Sequence, residues 1–302
     1  MIGYLLTASV PTVPTLPIGD IPVLVSHIRS GLNGSLWAVG ANGIVYRRGA
    51  KGSFVSTGLE ARDIRQLDRD TVAIQQKNRV VFYSLTRKRS LKSIRGAVLL
   101  PRFDREPLCL LKGGTVLAVS RNLGTRPIMR STLLGKVKNP LHELDWTYSR
   151  GLLCGGFGDT IHCLTRTGHV FKLEGSDAYA AVFGWDGDVV EVRPKPGNYG
   201  IKELWEVSLR SRKARRVCEI PDFQAGIQYD PRSKLIAVDG QYCVYLVDRH
   251  GIVAKSDSID PAVFCLSVDK GGFLVGNRGG EIDRVRARLE LRRSLNQPHH
   301  KA

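Results

Sequence analysis

A short apolar run recurs seven times along this chain at intervals near forty residues, and few folds can accommodate that. The copies are LWAVG (36–40), VAIQQ (72–76), VLAVS (116–120), LLCGG (152–156), VVEVR (189–193), LIAVD (235–239) and FLVGN (273–277). The steps between their starts are 36, 44, 36, 37, 46 and 38 residues. A unit of this size cannot bury its apolar face alone, so neighbouring units must stack to cover it. Helix-pair solenoids share the period. The runs here are β-branched, short, and separated by Gly, Asp and Asn, which marks them as strands.

Each copy has similar surroundings. An apolar run precedes it: PVLVSHI, DIRQLD, PLCLL, DWTYS, YAAVFG, AGIQYD and VFCLSVD. These are predicted as strands a, and the repeat itself as strand b. A strand c follows (IVYRR, RVVFYSL, RPIMRST, TIHCLTR, KELWEVSLR, YCVYLVDR, EIDRVRA), then a strand d in the first six units. The expectation is an all-β chain: a seven-bladed β-propeller with four-stranded antiparallel blades, one domain over residues 1–295. The long steps of 44 and 46 are assigned to LLPRFDREP and to the RPKPGNYGIK and LRSRKARR stretches. The last unit lacks a clear strand d. Residues 3–10, GYLLTASV, are predicted to supply it and close the ring, with LELRR (289–293) as the competing segment. The proline-bearing stretch 11–22 then reads as a stiff linker, and 296–302 as a disordered tail.

The pattern resembles the WD-repeat-like propeller superfamily over nearly the whole chain, in architecture. The Trp-Asp pair that usually ends strand c is missing from all seven units; Trp185-Asp186 falls in an a–b turn, and Gly168-His169 occurs once. The resemblance therefore implies a fold and carries over no functional residues.

The net charge is +17, from 45 Lys and Arg against 28 Asp and Glu. A surplus this large bears on partners rather than on fold. In a propeller the a–b and c–d turns share one face, and the b–c and d–a turns the other. The c–d tips are predicted to carry Arg47, Arg48 and Lys51; Arg87, Lys88 and Arg89; Arg130 near Lys136; Arg166; Arg210, Arg212 and Lys213; Arg249 and His250; and Arg286 with Arg288. The d–a turns lean acidic, through Glu60, Asp63, Glu143, Asp145, Glu174, Asp177, Asp222, Asp257 and Asp260. One face is thus expected to be positive and the other comparatively negative. A ring of Arg could contact phosphates at several points. Exposed hairpin tips are also commonly charged in any protein, so ordinary solvation stays open beside it.

Catalytic signatures are absent. There is no phosphate-binding loop, no Gly-x-Ser-x-Gly elbow and no His-Glu-x-x-His. His27, Gln66, Thr147 and Gln228 are expected on strands a near the central channel, a set short of the carboxylates that a metal-dependent hydrolase or lactonase would need. Glu191 departs from the apolar pattern of strand b and is expected to pair with an Arg between blades. No catalytic residue, metal site or cofactor is assigned. The six cysteines lie mostly in apolar runs without a Cys-x-x-Cys pair, so free thiols in an intracellular setting are expected, with disulfides left open by the even count. No run is long and apolar enough to span a membrane, and no signal peptide is evident. The sequence reads as a non-enzymatic scaffold docking a protein or nucleoprotein. A directly nucleic-acid-binding propeller and a channel-site hydrolase are the alternatives.

Overall fold

Strand b of each blade lies between two sheet neighbours and between two adjoining blades, so both of its faces are covered. That is why Leu36–Gly40, Leu235–Gly240 and Gly272–Asn277 are buried at every position. Strand d lies at the rim of its sheet and alternates instead, as in Phe54–Glu60 and Arg89–Arg95. The computed structural model describes residues 10–100, 106–135, 147–149, 151–157, 160–165, 170–172, 180–270 and 272–286. Apart from one four-residue helical turn, Thr132–Gly135, and two 3-10 turns, the ordered elements among the described residues are strands.

They form seven sheets. Blade one contains Val25–Ser30, Leu36–Gly40, Ile44–Arg48 and Phe54–Glu60, in order a to d. Blade two contains Asp63–Gln66, Thr71–Gln76, Arg79–Ser84 and Arg89–Arg95. Blade four contains Thr147–Ser149, Leu152–Phe157, Thr160–Leu164 and Val170–Lys172. Blade five contains Ala180–Phe183, Val189–Lys195, Asn198–Val207 and Ala214–Ile220. Blade six contains Phe223–Asp230, Leu235–Gly240, Val244–Asp248 and Gly251–Ser256.

Blade three departs from the sequence reading. Its innermost strand is Ala97–Leu99, followed by Leu108–Leu111, Thr115–Val119 and Thr125–Arg130. PLCLL is therefore strand b and VLAV strand c, one strand later than expected. LLPRFDREP joins strands a and b, rather than lying between blades. Ala97–Leu99 is held by the Gln75 side chain, whose Oε1 accepts from the Leu99 amide at 2.5 Å.

Blade seven contains Val263–Asp269, Gly272–Asn277 and Glu281–Val285. Its fourth strand is Thr15–Asp20, antiparallel to Glu281–Val285. This corrects the expectation for 11–22: in place of a linker the stretch supplies two strands, Thr12–Val13 and Thr15–Asp20. Residues 3–9 of the segment predicted for that role lie outside the described residues, as does 289–293. The chain then passes so close to the turn of blade seven that a Cβ at Gly280 (φ 96°) would lie 2.1 Å from the Ile21 carbonyl oxygen. Thr12–Val13 adds in parallel to the strand d of blade six.

Among the described residues, every neighbouring pair of sheets shares one apolar cluster. Trp37, Ile64 and Val72 join blades one and two; Phe82, Leu99 and Cys109 join two and three; Leu110, Val116 and Leu153 join three and four. Cys154, Val189 and Val207 join four and five; Val190, Leu204 and Ile236 join five and six; Leu246 and Phe273 join six and seven. Val25, Ile28 and Leu274 join blade seven to blade one. Burying each such large side chain stabilises the fold by about 1.5–3 kcal/mol.

Candidate functional site: the rim of a–b and c–d turns

In an antiparallel blade the a–b and c–d turns leave from the same end of the sheet. In blade two these are residues 67–70 and 85–88, and the second carries Arg87 and Lys88, with Arg89 following at the start of strand d, all three exposed. Asp70, the last residue before strand b, holds that tip from below. Its Oδ2 accepts from Ser84 Oγ at 2.6 Å, and its Oδ1 accepts from the Thr86 amide at 2.6 Å. Ser84 Oγ accepts in turn from the Arg87 amide at 3.0 Å. These bonds from Ser84 and Thr86, with the nearby Arg87 charge, hold the Asp70 carboxyl down at about 2.

Blade five repeats the device. Asp188 precedes strand b, and its Oδ1 accepts from the Leu209 amide at 3.1 Å. The tip above carries Arg210, Arg212 and Lys213, all exposed. Arg212 has φ 57° and closes the tip by donating its amide to the Ser208 carbonyl at 2.8 Å. A cleft of about 420 Å³ opens beside it, lined by Ser208, Ser211, Lys213, Arg215, Glu206 and Arg249 among others.

The remaining predicted residues divide. Arg249 lies between blades and is tied to Glu206 at 2.9 Å and to Asp186 at 2.7 Å. Burial works against its charge, and Glu206 and Asp186 outweigh that, raising its pKa. Arg47 belongs to strand c rather than to the tip, with its guanidinium 5.1 Å from the Trp37 ring centre. Arg48 Nε donates to the Gly52 carbonyl at 2.9 Å and so braces its own hairpin. Arg286 is exposed just after strand c of blade seven. Arg166 and Arg288 lie outside the described residues, as does Lys136. Arg130 ends strand d of blade three, so Arg121 takes the place expected for it at the c–d tip.

The rim extends beyond the c–d tips. Arg69, Arg232, Lys234 and Lys270 are exposed on a–b turns of the same end. The signal was present as Asp before strand b (RDTV, GDVV) and as cations in a–b turns. The expected negative opposite face does not hold among the described residues. Asp63 is buried and paired with Arg29 at 3.1 Å and Arg65 at 2.9 Å. Arg62, Lys77, Arg79, Arg95, Lys112 and Arg278 are exposed there beside Glu60, Asp222, Asp257 and Asp260. Glu143, Asp145, Glu174 and Asp177 lie outside the described residues.

The side-chain amides expected near the channel are committed within the protein. Gln66 Oε1 accepts from Trp37 Nε1 at 3.1 Å, its Nε2 donates to the Asp68 carbonyl, and Gln228 Nε2 donates to the Leu266 carbonyl. Glu191 is fully buried and bonded to Arg193, which stacks on Trp205 at 4.8 Å. Burial pushes Glu191 above the usual carboxylate range against the pull of Arg193. The Arg pairing expected from sequence is present. The expectation of free thiols is corrected at Cys154 and Cys163, which face each other across strands b and c of blade four and form a disulfide. Cys109, Cys218, Cys243 and Cys265 are free, and burial pushes Cys109, Cys218 and Cys265 up to about 12.

No protein-family model and no curated protein matches the chain at significance. Solved structures do. The WD40 domain of Neurospora crassa Pan2 is similar, with a TM-score of 0.62 at 12% identity over 91% of this chain and 96% of that one. The computationally designed Ika8 protein gives 0.55 at 12% identity over 90% and 99%. The extracellular domain of the putative hybrid two-component system BT3049 from B. thetaiotaomicron gives 0.61 at 12%, over 91% of this chain and 42% of that one. At such identities the likeness concerns the fold. Together with the seven sheets, each built on four antiparallel strands, it shows the fold to be a seven-bladed β-propeller.

Proposed function

We propose that the protein is a non-enzymatic docking platform whose rim of a–b and c–d turns takes an acidic protein, alone or as part of a nucleoprotein. One observation carries this reading: the two exposed basic hairpins at 85–89 and 208–213 are each tethered by the aspartate preceding strand b of the same blade. A tip fixed in advance loses less conformational entropy on binding than a free one. Charges at such a rim act chiefly through encounter rate and salt dependence. Direct nucleic-acid binding is the second reading, favoured by the forked Arg donors and the net charge of +17. The four free thiols support an intracellular setting and the Cys154–Cys163 bond speaks against it.

The test is titration of the whole chain with a polyglutamate peptide, single-stranded RNA and duplex DNA over a range of salt. The comparison is a variant with Arg87, Lys88, Arg89, Arg212 and Lys213 replaced by Ala. The expected result is peptide affinity that falls with salt and drops about tenfold or more in the variant. Capture of the cellular partner should survive nuclease treatment. Loss of capture after nuclease moves the assignment to nucleic acid, and binding indifferent to the five substitutions removes both readings.

A further inference from the structure

A second cationic cleft lies on the opposite face, where the b–c turn of blade two meets the connection from its strand d to blade three. We infer that it binds a phosphomonoester. Arg79 and Arg95 are direct cross-strand partners at the ends of strands c and d. Like charges placed opposite one another in this way repel. No carboxylate among the described residues forms an ion pair with either. Arg79 Nε donates instead to Gln76 Oε1 at 2.7 Å, which orients its guanidinium without neutralising it.

The two arginines, with Gln76, Lys77, Asn78 and Gly96, line a cleft of about 400 Å³. Its floor is fixed by backbone bonds: the Gly96 amide donates to the Asn78 carbonyl at 2.8 Å, and the Lys112 amide to the Gly96 carbonyl at 2.9 Å. The second bond brings the backbone of Lys112 to the edge. On the other side the Arg62 amide donates to the Gln75 carbonyl at 2.7 Å. The Gln76 side-chain Nε2 donates to the backbone carbonyl of Glu60 at 3.4 Å. No acidic side chain lines the cleft itself.

Two guanidinium forks and an ammonium around one recess match a dianionic, multi-acceptor group. The volume falls within the range of small-ligand sites, leaving room for an organic part beyond the phosphate. A phosphodiester chain is the poorer fit, since it offers one charge per phosphate along an extended track. Two carriers present such a group, a phosphorylated side chain and a free nucleotide.

The test uses the whole chain, with inorganic phosphate, a phosphoserine peptide, a nucleoside monophosphate and a single-stranded oligonucleotide as probes. The variants are Arg79→Gln with Arg95→Gln, and the rim variant described above. Phosphate is expected to raise the thermal midpoint of the parent and of the rim variant, but not of the double variant. At least one of the two organic monoesters should lose about tenfold or more in affinity in the double variant and be unaffected by the rim changes. The tighter of the two identifies the carrier. In phosphate-free buffer the double variant should melt no lower than the parent, because repulsion has been removed, so a failure to fold does not imitate the result. The inference fails if no monoester binds at millimolar concentration, if the double variant binds as the parent does, or if the oligonucleotide competes equally at this face. None of those outcomes bears on the rim, which the five substitutions test separately.

Discussion

Asp70 precedes strand b of blade two and Glu191 lies within strand b of blade five, and their surroundings push the two carboxylates in opposite directions. Asp70 accepts hydrogen bonds from Ser84 and Thr86, so its folded pKa is depressed from 3.8 to about 2. Its contribution to stability is therefore present above pH 3.8 and is lost as pH falls toward 2. Asp70→Asn is expected to lower the denaturation midpoint at pH 7 and to flatten the stability profile between those limits, measured by urea melts across pH. Glu191 is the reverse case: burial raises its pKa, so its contribution is complete below the ordinary 4.5 and declines as pH rises. Glu191→Gln should remove that decline. Arg193→Ala leaves the buried carboxyl without its counter-charge and should cost about 3–5 kcal/mol in the same assay. The pairing of Glu191 was legible because one charged residue stood in an otherwise apolar row. The Asp70 tether was not, because an aspartate in a turn has an ordinary explanation in any hairpin.

Strands were legible in proportion to how many of their faces are covered. Strand b of blade six, LIAVDG, is buried throughout and reads as an unbroken run, whereas strand d of blade two, RSLKSIR, alternates and reads weakly. Blade three shows where that logic fails. Its strand a is the three-residue AVL, directly after Gly96, and its identity depends on Gln75 from the blade before it. Nothing local to AVL distinguishes it from the end of the preceding strand. VLAV, lying one strand further out, is also largely buried, so the apolar period locked onto the wrong member. Gln75→Ala is expected to leave the buried Leu99 amide unsatisfied and to cost about 1–3 kcal/mol. Hydrogen exchange should report the loss first at 97–99.

At the scale of the whole molecule, residues near the two ends of the chain share one sheet through Thr15–Asp20 and Glu281–Val285. Proline at 17 counted against a strand in the sequence. It is tolerated because this is the outermost strand of its sheet, where the pairing is irregular between Pro17 and Gly19. Deleting residues 1–20 should uncover the edge of Glu281–Val285 and the apolar cluster around Val13, lowering the thermal midpoint and promoting self-association by size-exclusion chromatography. The seven-unit count was readable from the period. Which turns act together was not, because it depends on strand identities that blade three shifts. The grouping of the tips into one working surface is tested most directly by hydrogen exchange of the chain with an acidic polypeptide bound. Joint protection of 85–89 and 208–213, with 77–79 and 95–97 unchanged, is the expected result. Protection at only one of the two tips, or on the opposite face instead, would contradict it.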